Sequence, residues 1–155
     1  MLTNRSNPPG VIVPSLIYAD IDAAVRRLCD VFGFRERLRV GPPGEAGHAQ
    51  LLVGEGGSVI LGKPRIGQGF ATPDMAAFRP PRADEVSITL TVRVNDVDAH
   101  HEHAKARGAR ILNPPTTYPF GERQYTAEDL AGYRWNFSQT VAEVDPTEWG
   151  ATVAS

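Results

Sequence analysis

The same order of elements is written twice along this chain. Asp20-Ile21-Asp22-Ala23 returns as Asp96-Val97-Asp98-Ala99 at an offset of 76 residues. Gly33 returns as Gly108 at 75, Gly47-x-x-Gln50 as Gly121-x-x-Gln124 at 74, and Gly57 as Gly132 at 75. Matches that keep one order and a near-constant offset mark an internal duplication.

Within the first unit, residues 11–18 (VIVPSLIY) read as a strand that Pro14 confines to an edge or a bulge. Asp20 is an N-cap, Ile21, Val25, Leu28, Cys29 and Phe32 recur at helical spacing behind it, and Gly33 stops the helix. Strands follow at 34–40, 48–53 and 58–63, with Gly54-Glu55-Gly56-Gly57 turning between the last two. The second unit repeats the plan: a strand at 86–94, a helix at 97–107 between Asp96 and Gly108, and strands at 109–112, 123–128 and 133–139. The chain therefore divides into a flexible arm (1–10), a first βαβββ module (11–63), a linker (64–85), a second module (86–140) and a tail (141–155). In the tail, Asp145-Pro146 caps a helical turn that docks Trp149.

Composition narrows what such a chain does. A net charge of −2 and a pI near 6.1 give neither the basic footprint of a nucleic-acid binder nor a polybasic membrane anchor. The single cysteine, Cys29, excludes an internal disulfide and a cysteine-based zinc cluster. No leader pattern opens the sequence and no long apolar run crosses it, so a cytoplasmic protein with no nucleic-acid or membrane partner is expected.

Several stretches carry the resemblance to a known family: Asp20-Ile21-Asp22 before a helix ending in Phe32-Gly33-Phe34, then Val94-Asn95-Asp96-Val97-Asp98-Ala99, Phe120-Gly121-Glu122-Arg123 and Asp129-Leu130-Ala131-Gly132-Tyr133. Over about residues 11–140 the chain resembles the vicinal oxygen chelate superfamily: glyoxalase I, extradiol dioxygenases, fosfomycin-resistance enzymes and bleomycin-resistance proteins. Leu130 stands where that family usually has proline. The resemblance implies an α+β fold of two βαβββ modules, their sheets curved around a cleft with the helices outside. It also implies a tendency to form homodimers. In its metal-using members both modules supply ligands to a divalent ion that holds vicinal oxygens of the substrate. Mapped here, those positions fall on Val13, Leu61, Thr89 and Asn136, which offer no imidazole, carboxylate or thiolate. No metal, cofactor or catalytic residue is therefore expected.

Strand alternation selects what faces the cleft instead. Val86, Ile88, Leu90, Val92 and Val94 pack under the helix, leaving Ser87, Thr89, Thr91 and Arg93 to the cleft. Val13, Ser15 and Ile17 join them, as do Val59, Leu61 and Lys63, and Arg134, Asn136 and Ser138; by the family alignment so do His48, Gln50, Leu52, Gln124 and Thr126. The candidate ligand-binding set is Val13, Ser15, His48, Gln50, Leu61, Thr89, Thr91, Gln124, Thr126 and Asn136. Elsewhere Trp135 and Phe137 are read as core, Cys29 as a small core residue, and His101 as a half-buried filler. His100 and His103 are read as a solvated helix face, and Arg123 as a partner of Asp129 or Glu128 in preference to an anionic ligand.

Three functions compete. A metal-independent protein would bind a small aromatic or heterocyclic molecule between an apolar and a polar wall. A lyase or dioxygenase would use relocated ligands such as His48, Gln50 and Gln124. A non-catalytic association domain would use the linker to wrap a partner.

Overall fold

A computed structural model of the chain describes residues 2–64 and 72–155. Its elements run β1 (Ser15–Ile17), α1 (Ile21–Phe32), β2 (Arg35–Val40), β3 (His48–Val53), β4 (Gly57–Gly62), β5 (Thr89–Arg93), α2 (Val97–Ala106), β6 (Arg110–Thr117), β7 (Glu122–Glu128) and β8 (Arg134–Thr140). Short 3-10 turns lie at Pro73–Ala77 and Pro146–Trp149. The strands form two four-stranded sheets of matching order, β1-β4-β3-β2 and β5-β8-β7-β6. In each sheet the first strand pairs parallel to the last, and the remaining pairs are antiparallel.

The helices begin and end as their caps dictate. Asp20 and Asp96 each accept a hydrogen bond from the backbone N–H three residues on, at 2.9 Å in both cases. Gly33 takes the left-handed conformation (φ 72°) and donates its N–H to the Cys29 carbonyl, which a residue with a Cβ would do only under strain. Behind these caps α1 buries Ile21, Ala24, Val25, Leu28, Val31 and Phe32.

Both modules share one core. Phe32 and Phe34 of the first stack at tilted angles on Trp135 and Phe137 of the second, with ring centroids 5.0–6.4 Å apart. Leu16, Leu51, Leu61, Val97, Tyr125 and Ala127 extend the same cluster. A polar seam joins the helices beside it: the Arg27 guanidinium donates to the carbonyls of Arg107 (2.7 Å) and Gly108 (2.9 Å). His103 donates to the Asp30 carbonyl, and His100 to that of Phe32 at 3.0 Å.

Several sequence readings need correction. The first strand covers only Ser15–Ile17 of residues 11–18, because its parallel pairing with β4 lasts three residues and Val11 and Ile12 stand exposed outside it. Likewise β5 is Thr89–Arg93 rather than 86–94. The strand expected at 109–112 runs on through Pro114 and Pro115 to Thr117; β6 is a sheet edge with register shifts there, so the missing N–H groups interrupt no central ladder. His100 is not on a solvated face: its Nε2 donates to Phe32, its Nδ1 lies 2.6 Å from the Tyr125 hydroxyl, and its ring sits 4.3 Å from that of Phe137. Burial lowers the His100 pKa accordingly. Arg123 pairs with neither Asp129 nor Glu128 but with Asp98 of α2, at 2.9 Å.

Candidate functional site

The helices cover one face of each sheet; the face turned away from them, called distal here, carries the candidate residues. Cross-strand pairing fixes which side chains share it. In the second module Thr91 lies beside Asn136, and Thr126 and Gln124 lie beside Asn136 and Ser138. Thr89 stands next to Arg134 on the same face. In the first module Ser15 and Gln50 flank Ile60, and His48 flanks Gly62.

Three of the expected cleft residues are placed elsewhere. Leu61 is fully buried between Leu16 and Ala49 on the helix-covered face, and Val59 shares that face beside Leu51. Val13 precedes β1 and is half-buried outside the strand. For Leu61 and Val59 the error has one source, the pairing of Gly57 with Gly132. In the structure Ile60 occupies the place of Asn136, an offset of 76, and the turn glycine equivalent to Gly132 (φ 96°) is Gly56 (φ 84°). A one-residue slip in a strand sends every side chain to the opposite face. The same offset makes Thr126, not Gln124, the twin of Gln50, and pairs Gln124 with His48.

The distal face of the second module is a polar strip. Gln124 Nε2 donates to Ser138 Oγ (3.1 Å), and Ser138 donates to Glu122 (2.7 Å). Asn136 bridges Thr91 and Thr126, each contact 3.4 Å. Burial pushes the Glu122 carboxyl up, but the hydroxyls of Ser138 and Thr140 and the Arg93 guanidinium outweigh it and hold the pKa below the ordinary glutamate value. At the far end, Arg134 Nε is buried without a hydrogen-bond partner among the described residues. Sequence reasoning missed Ile60, Ser58, Glu122 and Arg37 as parts of these faces. The offset between the two capping aspartates, carried through without change, would have found Ile60.

Ser15 lines a cavity of about 800 Å³ between β1 and residues 77–88, with Ile17, Phe78, Ile88 and Tyr133. Thr91 lines another, of about 810 Å³, between β5 and the β3–β4 turn. Gln50, Gln124, Thr126 and Asn136 line neither. Among the described residues no group of three or more His, Cys, Asp or Glu is placed to hold a metal ion. Ile60, Thr91, Thr126 and Asn136 supply at most hydroxyl and amide oxygens where the strands meet, so the donor set does not fit a first-row divalent ion. Cys29 is half-buried against the core, and burial pushes its thiol up, away from a nucleophile's range. No described helix is long and apolar enough to cross a membrane.

Two βαβββ modules with their helices packed together define a paired-module α+β protein. The chain belongs to the Glyoxalase/Bleomycin resistance protein/Dioxygenase superfamily, whose sequence profile matches residues 11–137. TioX from Micromonospora sp. ML1 is 33% identical, with a TM-score of 0.64 over 84% of this chain and 98% of that one. A glyoxalase/bleomycin resistance protein/dioxygenase from Nocardioides superposes with a TM-score of 0.67 at 18% identity, covering 96% of this chain and 91% of that one. TnmS3, an antibiotic binding protein from Streptomyces sp. CB03234, gives 0.62 at 22% identity over 84% and 95%. The uncharacterized protein Rv0887c of Mycobacterium tuberculosis is 28% identical over 99% of this chain and 88% of its own length.

Proposed function

We propose that the chain binds a small aromatic or heterocyclic molecule without a metal ion and without transforming it. The observation that carries this reading is the strip Thr91–Asn136–Thr126 with the unpartnered Nε–H of Arg134 beside it. Its two contacts at 3.4 Å are at the long limit for hydroxyl and amide groups, so a ligand acceptor or donor at better distance replaces them at little cost. TnmS3, of the same fold, is an antibiotic binding protein, which favours a ligand of that size class. A homodimer completes the reading, because the second module's strip lines neither cavity described above and a facing wall from another chain would enclose it. Soluble residence in the cytoplasm accords with this role.

A thermal-shift screen of aromatic and heterocyclic compounds, antibiotics included, tests it in the presence of a chelator. A ligand at about 100 times its Kd adds about 2.7 kcal/mol, which for a chain of this size raises Tm by about 5–10 °C. Asn136→Ala and Thr126→Val should each weaken such a ligand about three- to tenfold. Stabilisation that appears only after adding Zn²⁺, Mn²⁺ or Fe²⁺ would overturn the reading.

A further inference from the structure

The first module's distal face is already occupied by the chain itself. Gln50 belongs to that face, yet it is 3% exposed, because residues 5–9 of the arm lie across it. Its Nε2 donates to the Ser6 carbonyl at 2.9 Å, and its Oε1 accepts from Arg37 Nη1 at 2.5 Å. The other end of the Arg37 guanidinium donates to the Arg5 carbonyl at 2.6 Å. Ser58 Oγ donates to the Pro9 carbonyl. Three donors from three adjacent strands thus converge on three backbone carbonyls of one short segment.

Among the described residues, those are the side-chain hydrogen bonds that tie residues 5–9 to the sheet. The buried apolar core begins at Leu16, and Leu2 is fully exposed. Every arm residue from Leu2 to Gly10 is exposed except Pro8, which is half-buried. The donors read acceptor oxygens and not side chains, and one of them carries a permanent positive charge. We propose that residues 5–9 are an internal ligand of this face, holding its amide, hydroxyl and guanidinium donors until an external molecule rich in carbonyl or carboxylate oxygens displaces them. This goes beyond the binding reading above, which concerns the second module's strip, and gives the first module's face a ligand chemistry and a built-in competitor of its own.

Trypsin reports the arm's seat on the full chain, because the Arg5–Ser6 bond lies within it. Cleavage of a segment that must first open tracks its open population, so this bond should be cut at least about tenfold more slowly in the chain than in a synthetic peptide of residues 2–12. The double variant Arg37→Ala/Ser58→Ala should bring the rate toward that of the peptide. An excess of the 2–12 peptide carrying Arg5→Gln, which trypsin does not cut, should do the same to the wild-type chain, whether or not the double variant folds. Equal rates in chain and peptide, or a wild-type rate indifferent to the competitor, would overturn the proposal. Slow cutting relieved by the competitor, with no aromatic compound shifting Tm, upholds the arm's seat and refutes the small-molecule reading instead.

Discussion

Asp129 gathers more of the fold onto one side chain than any other polar residue described above. Its carboxylate accepts from the Tyr18 hydroxyl (2.6 Å), from Trp135 Nε1 (3.0 Å) and from the backbone N–H groups of Ala131 and Tyr133. Tyr18 belongs to the first module, so this one group ties the β7–β8 turn to the end of β1. Burial raises the Asp129 pKa, and the four donors pull it back without cancelling the effect. The folded protein therefore holds a proton there at pH values where the unfolded chain has released it. That contribution is complete below the ordinary aspartate pKa and is lost as pH rises through the higher folded value. Asp129→Asn leaves Trp135 Nε1 or the Tyr18 hydroxyl without its acceptor, at a cost of about 1–3 kcal/mol. Urea titrations across pH 3–7 should show the gap between wild type and variant widest in acid and narrowing upward.

At the scale of elements, both helices and their caps were legible because Asp20, Asp96 and the glycines after each helix act locally, within a single turn. So were the core roles of Trp135 and Phe137, set by plain alternation along β8. What could not be read were properties fixed at a distance. Two prolines in β6 are tolerated because that strand is an edge, which is known only once the sheet is assembled. His100 and Arg123 find partners 68 and 25 residues away, where no periodicity reaches. The face of β4 turned on which glycine of a Gly-Gly pair carries the left-handed turn, and a count made from the wrong one inverted the strand. Its outcome is measurable by paired truncation. Leu61→Ala should cost about 2–5 kcal/mol by opening a core cavity, whereas half-buried Ile60→Ala should cost about 1 kcal/mol. Equal losses would return β4 to the other register.

For the whole molecule, the two modules are not separable domains that happen to touch. Phe32 and Phe34 on one side pack against Trp135 and Phe137 on the other within one buried cluster, and the Arg27 and His100 seam closes beside them. Cut into fragments 1–71 and 72–155, the chain should yield halves that aggregate or stay unfolded alone. Mixed, they should recover the native circular dichroism spectrum in a manner dependent on concentration. Independent folding of either half would contradict the shared core. The same aromatic seam bears on how such a chain could arise. A half-length ancestor carrying this face could not have remained a monomer in water; it needed a second copy of itself to cover the exposed rings. Joining two copies end to end made that encounter intramolecular, with a local concentration in the millimolar range, and freed the twin sequences to diverge. One distal face could then keep a polar strip while the other came under its own arm.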